Sequence, residues 1–570
     1  MSQATRNISG AEGLLLGLKE LGVDYIFGNV GTDFPPILGA LTRYQQAGRL
    51  GVDVPLPIAV PHENVAVNMA YGYYLATGKP QVIFVHTNVG TANALIGLIN
   101  ASRGHVPLIV IAGVAPTTEQ FGRTSKPGFI HWAQEMFDQA GMVRENVKWD
   151  YHLSPDNVVE LDLILQRAWT MAMAYPPGPV YLTFAAEAME QAITLPATIV
   201  PPVTVSVPYP DPVVMGQVAG WLAGAKRPLI ISGGTDRNHA ILPALQAVAE
   251  SHAIGVTGLV PRNLHFPMNH PLYLGDNPHA AVKEADLIIS LETDVPYMPI
   301  HGRPPAGCRV VHVGPDPVFQ RYPRYGFQSD AYVNAGLFPF LQVLLAMADP
   351  PAAAMLQGRR GWVGGMVAEK TAVRQREIAK AQMQGEMNFG WVSHCVAEAV
   401  AAHPELIVLR EFDLQGDYLP MSQPGSFYGL PNAGGLGWGQ GVALGLRLAD
   451  PSRIPLLATG DGCYYFSAPL SAHSLASSQQ LPFITLVFNN GEWQTVTNYV
   501  NRWYPGLEEP VPPLTSLGPP PDFEKVVGVF GGHGERVARP EELPGALARG
   551  IEAVKNGRQV LINVLCPRLK

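Results

Sequence analysis

One texture recurs along this chain and constrains its fold more than any other feature. Short, uninterrupted apolar runs, each closed by glycine, proline or a polar residue, alternate with Ala/Leu-rich stretches of helical length. QVIFVH from Gln81, PLIVIAG from Pro107, RPLIISGG from Arg227, LIISLE from Leu287, RIPLLATGDG from Arg453 and FITLVFNN from Phe483 are of this kind. A strand that is apolar on both faces must be covered on both, which is the environment of a parallel sheet flanked by helices. The sequence therefore predicts an α/β protein of three doubly wound domains with mostly parallel sheets. Ligands of such folds lie beyond the carboxyl ends of the strands, so the residues directly after each run carry the functional reading.

Two Pro-rich stretches, residues 195–212 and one from Asp349 (DPPAAAMLQGRRG), read as extended, solvated linkers, because proline removes a backbone donor. The domains expected are 1–192, 212–348 and 375–570. With 47% hydrophobic and only 15% charged residues, the 570-residue chain can build cores of that size and is no polyelectrolyte. Lys plus Arg number 38 and Asp plus Glu 46, a formal charge of −8 with no basic block, which argues against nucleic acid as a partner. No apolar stretch reaches the roughly 20 residues of a membrane span. The start, MSQATRNISG, has no apolar signal core, and four scattered cysteines (Cys308, Cys395, Cys463, Cys566) lack metal-ligand spacing. A cytoplasmic protein with neither a membrane nor a nucleic-acid partner is expected.

The strongest local signal is Gly460-Asp461-Gly462, then 26 residues, then Asn489-Asn490. Each half ends an apolar strand, so the two can be neighbours at one sheet edge. A carboxylate and a carboxamide oxygen are hard ligands suited to Mg²⁺, and the glycines permit close approach of backbone to an anion. Taken singly, GDG is a turn and Asn-Asn a strand cap; the pairing at this spacing favours the metal reading.

GDG followed by NN, with GSFYGLPNAGGLGWGQGVALGLRLADPSRIPLLATGDG before it, resembles the thiamine diphosphate-dependent enzymes. The likeness is greatest to the benzoylformate decarboxylases and acetolactate synthases, and it extends over nearly the whole chain. It implies that Asp461, Asn490 and the carbonyl of Glu492 hold the metal. By the same resemblance Gly460, Gly462 and Cys463 lie at the cofactor. Gly435 and Leu436, in the run Gly434-Gly435-Leu436-Gly437, correspond to the place where the family sets a bulky apolar side chain between the cofactor's rings. Leu436 as simple core filling is the alternative.

The family also requires a carboxylate at the pyrimidine nitrogen of the cofactor. IAVPHENVAVNMAYGYYLATG matches that segment, and Glu63 is the residue in place. A glutamate in a helix's first turn otherwise compensates the helix dipole. VHTNVGTANALIGLINASRGHVPLIVIAG follows benzoylformate decarboxylase in register, so His86 corresponds to its proton-relaying histidine; imidazole suits proton exchange near neutral pH. FGNVGTDFPPIL puts Thr32 at the position of a serine that contacts the substrate carboxylate. The adjacent Asp33 invites confusion with a catalytic aspartate of pyruvate decarboxylases, but alignment on GNVG selects Thr32. Structural roles remain the alternatives for both His86 and Thr32.

The resemblance thins in the middle segment, which family members use to hold a non-redox FAD or as scaffold; SGGTDRN does not by itself indicate FAD. His301, in YMPIHGRPP, is a candidate second histidine or a plain loop residue. Glu492 departs from the small residue usual in this place, and its side chain points either into the substrate cleft or to solvent. The resemblance implies a carboxy-lyase or carboligase acting on a 2-oxo acid or aldehyde, aromatic or bulky by the Phe/Tyr/Trp content near the site. It further implies a homodimer or homotetramer with active sites at the subunit interface. Three rival readings are an acetohydroxyacid synthase-like carboligase, a 2-hydroxyacyl-CoA lyase and a non-catalytic homologue.

Overall fold

The computed structural model describes residues 5–120, 122–197, 204, 206–234, 240–412, 414–507 and 511–568. Most of 198–205 in the first expected linker, and residues 235–238 of the SGGTDRN loop, lie outside them.

The apolar runs form strands of three large sheets, and every strand pair within those sheets is parallel. The N-terminal sheet has six strands in the order Leu56–Ala59, Tyr25–Asn29, Val82–Val85, Ile109–Gly113, Val180–Phe184, Asp150–Leu153. The C-terminal sheet also has six, ordered Phe427–Gly429, Leu406–Glu411, Ile454–Gly460, Ile484–Asn489, Val560–Leu565, His533–Val537. Numbered along the chain within each sheet, both orders read 2-1-3-4-6-5. The middle sheet, Gly255–Thr257, Pro228–Ser232, Leu287–Leu291, Arg309–Gly314, Ala331–Asn334, reads 2-1-3-4-5. The reversal between the first and third strands in each is the switch point that defines a doubly wound sheet. A two-stranded antiparallel ribbon, Thr5–Ser9 with Ala192–Pro196, completes the set.

The residues group into two compact units. One is drawn from Met1–Val205, Ala433–Pro451 and Cys463–Leu481, the other from Ser206–Asn432, Ser452–Gly462 and Pro482–Lys570. In the first, leucine, isoleucine and valine of the sheet and its helices bury a common core around Phe34, Phe84 and Phe184. In the second, one continuous core runs through the middle and C-terminal sheets.

The second expected linker differs from its sequence reading. After Pro350 and Pro351 the chain is not extended but forms a 32-residue helix, Ala353–Gln384. No proline follows until well past it, and Ala, Met, Gln, Arg, Lys and Glu are strong helix formers. The helix is anchored by Arg359, which is fully buried. Its guanidinium donates to the carbonyls of Leu222, Ala225 and His252, at the ends of helices Pro212–Gly224 and Ile241–His252. Helix ends leave such acceptors unsatisfied, and one planar five-donor group serves two of them.

Within the first unit the helix Glu63–Thr77 packs on Gly439–Ala449 at backbone distance. A Cβ on Gly445 would lie 2.0 Å from the Met69 carbonyl oxygen, and one on Gly72 would lie 2.2 Å from that of Val442. Backbone cannot rotate aside as a side chain does, so these contacts require glycine. Gly445→Ala should therefore force the helices apart and lower the thermal midpoint, at a cost of roughly 1–3 kcal/mol. The same substitution at exposed Gly220, where nothing lies within 4 Å, should be neutral or stabilising by about 0.5–1 kcal/mol through helix propensity. A pair of melting curves of the two variants checks the opposite signs.

Candidate active site

In both six-stranded sheets sequence-selected residues follow the strands at the switch point or one strand away from it. Leu56–Ala59, Tyr25–Asn29 and Val82–Val85 are neighbours, and the chain leaves them towards Glu63, Thr32 and His86 respectively. Leu406–Glu411, Ile454–Gly460 and Ile484–Asn489 are likewise neighbours and lead into Phe412, Asp461 and Asn490.

Glu63 opens the helix Glu63–Thr77 and is buried, 6% exposed. His62 caps this helix, its Nδ1 accepting the Asn64 N–H at 3.1 Å. One Glu63 oxygen accepts from the Asn93 amide at 3.0 Å, and the other faces Gly90, where a Cβ would lie 3.2 Å away. No Lys, Arg or His is paired with Glu63 among the described residues, so its carboxylate is left for a ligand that can donate a hydrogen bond.

His86 ends its strand and stands at the start of helix Thr87–Arg103, with Nδ1 2.5 Å from Asp33 Oδ1. That hydrogen bond raises the imidazole above its ordinary range, with burial opposing it and Glu63 adding a smaller effect in the same direction. Thr32 Oγ1 lies 3.1 Å from Nε2 of buried His131, whose Nδ1 is 3.0 Å from the Gly128 carbonyl. Asp33, Asn93 and His131 were not among the residues selected from sequence. Asp33 was visible there beside Thr32; Asn93 and His131 carried no motif that could have marked them.

Leu436 is half-buried on a turn of the first unit. Glycines with φ of +66° and +85° stand at 434 and 437, and a Cβ on Gly437 would lie 2.2 Å from the Phe466 carbonyl. Asn100 holds the turn from the helix after His86: its amide donates to the Gly435 carbonyl at 2.7 Å and its Oδ1 accepts the Gly435 N–H at 3.0 Å.

In the second unit Asp461 is buried and gathers backbone donors. Its Oδ1 accepts Gly462 N–H at 2.7 Å; its Oδ2 accepts Gly491 N–H at 2.7 Å and Asn490 N–H at 3.2 Å. Burial nevertheless lifts its carboxyl above the usual carboxylate range, with those N–H groups working against it. Among the described residues no cationic side chain is paired with it. Asn490 Oδ1 accepts the Glu492 N–H at 3.0 Å, closing the Asn490-Gly491-Glu492 turn at Gly491, φ +68°. No three His, Cys, Asp or Glu side chains converge among the described residues. The oxygens available are one carboxylate, one carboxamide and backbone carbonyls, all hard donors, and the uncompensated carboxylate adds the charge a cation would neutralise. This set fits Mg²⁺.

Gly460 ends its strand; a Cβ on Gly462 would lie 2.2 Å from the Trp493 ring, and Cys463 is buried at the start of the first unit's segment. The Glu492 side chain is 1% exposed, accepts the Thr497 hydroxyl and stands 3.7 Å from the Arg568 guanidinium, which also donates to the Asn490 carbonyl. One carboxylate oxygen of Glu492 is thus engaged by Thr497, and the other faces Arg568 without a hydrogen bond among the described residues. His301 Nε2 lies 3.2 Å from an Arg502 nitrogen, with its ring 4.9 Å from that of His279. Buried Glu411, at the switch point of the C-terminal sheet, accepts the Thr459 hydroxyl at 3.2 Å and was also not selected from sequence. A cleft of about 690 Å³ in the second unit, lined by His279, Lys283, Trp362, Glu377 and Tyr418 among others, includes none of the candidate residues.

Three family models match in succession. These are the thiamine pyrophosphate enzyme N-terminal TPP binding domain over residues 8–142, the central domain over 215–331 and the C-terminal TPP binding domain over 414–564. Relatives include the acetolactate synthase isozyme 3 large subunit of Escherichia coli, 24% identical across 98% of this chain and 94% of that protein. Benzoylformate decarboxylase of Pseudomonas aeruginosa is 25% identical across 96% and 97%, and sulfoacetaldehyde acetyltransferase of Castellaniella defragrans 24% across 99% and 94%. The crystal structure of benzoylformate decarboxylase from Polynucleobacter necessarius shares the fold with a TM-score of 0.75 at 20% identity, covering 99% of each chain. A 4-hydroxybenzoylformate decarboxylase of Rhodococcus jostii does so with the same TM-score and identity over 98% of this chain and 99% of that one. With all three domains of one family present in order on a parallel-sheet scaffold, this chain belongs to the thiamine pyrophosphate-dependent enzymes.

Proposed function

We propose that the enzyme decarboxylates a 2-oxo acid to an aldehyde, using thiamine diphosphate and Mg²⁺, with carboligation to a 2-hydroxy ketone as a second outcome of the same chemistry. The observation that carries this reading is the grouping of Glu63, Thr32 and the Asp33-held His86 after three adjacent strands of one sheet. Bound thiamine diphosphate supplies the electron sink for the pair left when carbon dioxide departs. Asp461, Asn490 and the Glu492 carbonyl would hold the metal; Gly460, Gly462 and Cys463 would lie along the diphosphate. Glu63 would bind the pyrimidine nitrogen, and Gly435 with Leu436 would support the cofactor.

Thr32 would contact the substrate carboxylate, and His86 would hand a proton to the carbon that loses it. Glu492, in this reading, braces the metal turn through Thr497 and Arg568, and His301 borders the substrate path. An aromatic or bulky substrate is supported by the helix Gln494–Trp503, which exposes Val496, Tyr499 and Trp503. The P. aeruginosa and R. jostii relatives, named for benzoylformate and 4-hydroxybenzoylformate, point the same way. Benzoylformate-like acids are the substrates proposed. Among the described residues no helix is long and apolar enough to cross a membrane; a cytoplasmic enzyme is the reading that goes with this.

Turnover of a 2-oxo acid panel (benzoylformate, 4-hydroxybenzoylformate, pyruvate, branched-chain acids) with added thiamine diphosphate and Mg²⁺ tests the reaction. Carbon dioxide with equimolar aldehyde is expected, fastest for the aromatic acids. Carbon dioxide with hydroxy ketone alone would make the enzyme a carboligase, and silence with cofactor bound would redirect the search to 2-hydroxyacyl-CoA substrates.

Glu63→Gln should bind the cofactor and lose at least about 100-fold in kcat, the usual range for a group acting in proton transfer. Asp461→Ala should fail to retain the cofactor in an equilibrium-binding assay.

We further propose that Glu63 and Asp461 of one site come from two copies of the chain, as the family's dimers imply. Mixing Glu63→Gln with Asp461→Ala subunits should then regain about one quarter of the sites, the share of intact pairings in randomly reassorted symmetric dimers. If both residues of a site belong to one chain, the mixture stays inactive.

A further inference from the structure

Asp33 is a carboxylate whose side chain is 0% exposed, beside a His86 ring that is 19% exposed. Both of its oxygens are committed: Oδ1 to His86 Nδ1 at 2.5 Å, Oδ2 to the Thr87 N–H at 3.3 Å. The surrounding backbone makes room for this pair. A Cβ on Gly113, the last residue of its strand, would lie 1.8 Å from Asp33 Oδ2, and one on Gly31 would lie 2.2 Å from His86 Nδ1. Thr87 adopts φ of +35°, in the left-handed region that a β-branched residue enters only at a cost, and its N–H donates to the carboxylate. Two missing side chains and one strained residue thus converge on a single hydrogen-bonded pair. With Asp33 accepting from Nδ1, the ring's Nε2 is the atom left for other partners.

We propose that Asp33 is a positioning residue that fixes the His86 ring with Nε2 outward and keeps it an imidazolium, making His86 a proton donor in the resting enzyme. The proposal rests on the reaction proposed above. In that reaction the C1–C2 bond of the 2-oxo acid breaks and carbon dioxide leaves. The electron pair left on C2 takes a proton from His86 Nε2, the aldehyde departs, and neutral His86 regains a proton from water. The sum, R–CO–COO⁻ plus H⁺ giving R–CHO and CO₂, needs no oxidant or reductant. A donor held ready at C2 competes with any second carbonyl for the same electron pair, so the pair favours aldehyde over hydroxy ketone.

The groups facing His86 are Asp33 from the loop after Tyr25–Asn29, Glu63 from the first turn of its helix, and the neutral side chain of Gln134. Asp33 foremost, then the Gln134 side chain and last Glu63 act to raise its pKa, against desolvation. The sign follows: the pair's stabilisation is complete below the unperturbed histidine value of about 6.5 and is lost as pH rises through the higher native value.

The test is an NMR titration of ¹⁵N-histidine-labelled holoenzyme, with the His86 signal identified by its loss in His86→Gln. A midpoint above about 6.5 is expected, and Asp33→Asn, which keeps the shape and removes the charge, should lower it by about one pH unit or more. Asp33→Glu should restore part of the shift. A wild-type midpoint at or below about 6.5 overturns the proposal without any Asp33 variant having to fold, and so does an unchanged midpoint in Asp33→Asn. These readings require no turnover, so they decide the Asp33–His86 pair even if no 2-oxo acid is consumed. Where one is, the high-pH limb of kcat should fall with the NMR midpoint in Asp33→Asn; a limb that stays put while the midpoint falls overturns the proton-donor role.

Discussion

Parallel pairing is the constraint on which the rest of this structure depends. Parallel neighbours cannot be joined by a tight turn, so each strand must be followed by a crossover that returns outside the sheet. All carboxyl ends therefore open on one edge. In a doubly wound order the two crossovers that start at the switch point leave in opposite directions and cannot cover the gap between them. Thr32, Asp33 and His86 stand beside that gap in the N-terminal sheet, and Asp461 beside its counterpart in the C-terminal sheet. The identical 2-1-3-4-6-5 order means that one topological device presents polar groups twice in a single chain. What differs is the chemistry loaded on it: imidazole and carboxylates in one, backbone donors around the Asp461 carboxylate with Glu411 on the neighbouring strand in the other.

Close backbone approach is the second layer. At Gly445 and Gly72 it lets the Glu63 helix lie against its neighbour; at Gly31 and Gly113 it frees space for His86 and Asp33; at Gly437 it turns the chain so that Leu436 stands out. These glycines serve different local needs, yet each substitutes the absence of a Cβ for a polar or apolar contact that would otherwise fill the volume. A high glycine content in this chain marks where side chains or backbones must meet within van der Waals limits, and it need not imply pliancy.

The sequence made legible whatever has a local signature. Apolar runs such as FITLVF and RIPLLAT state that a strand is buried on both faces, and the residues after them fall at the sheet edge, which marks Asp461 and Asn490; His86 is marked by the family resemblance. The first part of the helix Ala353–Gln384 reads in sequence as linker because two prolines before it outweigh the 22 Ala, Leu, Met, Gln, Arg, Glu and Lys residues among its 32, although proline is tolerated just before a helix begins. Partnerships across the chain left no local trace. Asp33 meets His86 over 53 residues, Thr32 meets His131 over 99 and Arg359 reaches Leu222 over 137. Such pairs are set by tertiary geometry, and Arg359 in particular looks in sequence like any solvated arginine on a polar helix.

The two carboxylates at the heart of the proposed chemistry share an electrostatic condition. Glu63 and Asp461 are both buried, and among the described residues neither is paired with a cationic side chain. Asp33, equally buried, differs in having a titratable partner that can supply the positive charge itself. A buried charge without a counter-charge opposes folding unless donors or a ligand offset it. Backbone N–H groups do part of this at Asp461 and the Asn93 amide does part at Glu63, yet burial still prevails at Asp461, where the carboxyl is held above its usual range. Whatever cation binds at Asp461 therefore releases a cost already present in the folded chain, and by mass action its binding adds directly to stability. Loading the site and completing the fold are, for Asp461, thermodynamically linked.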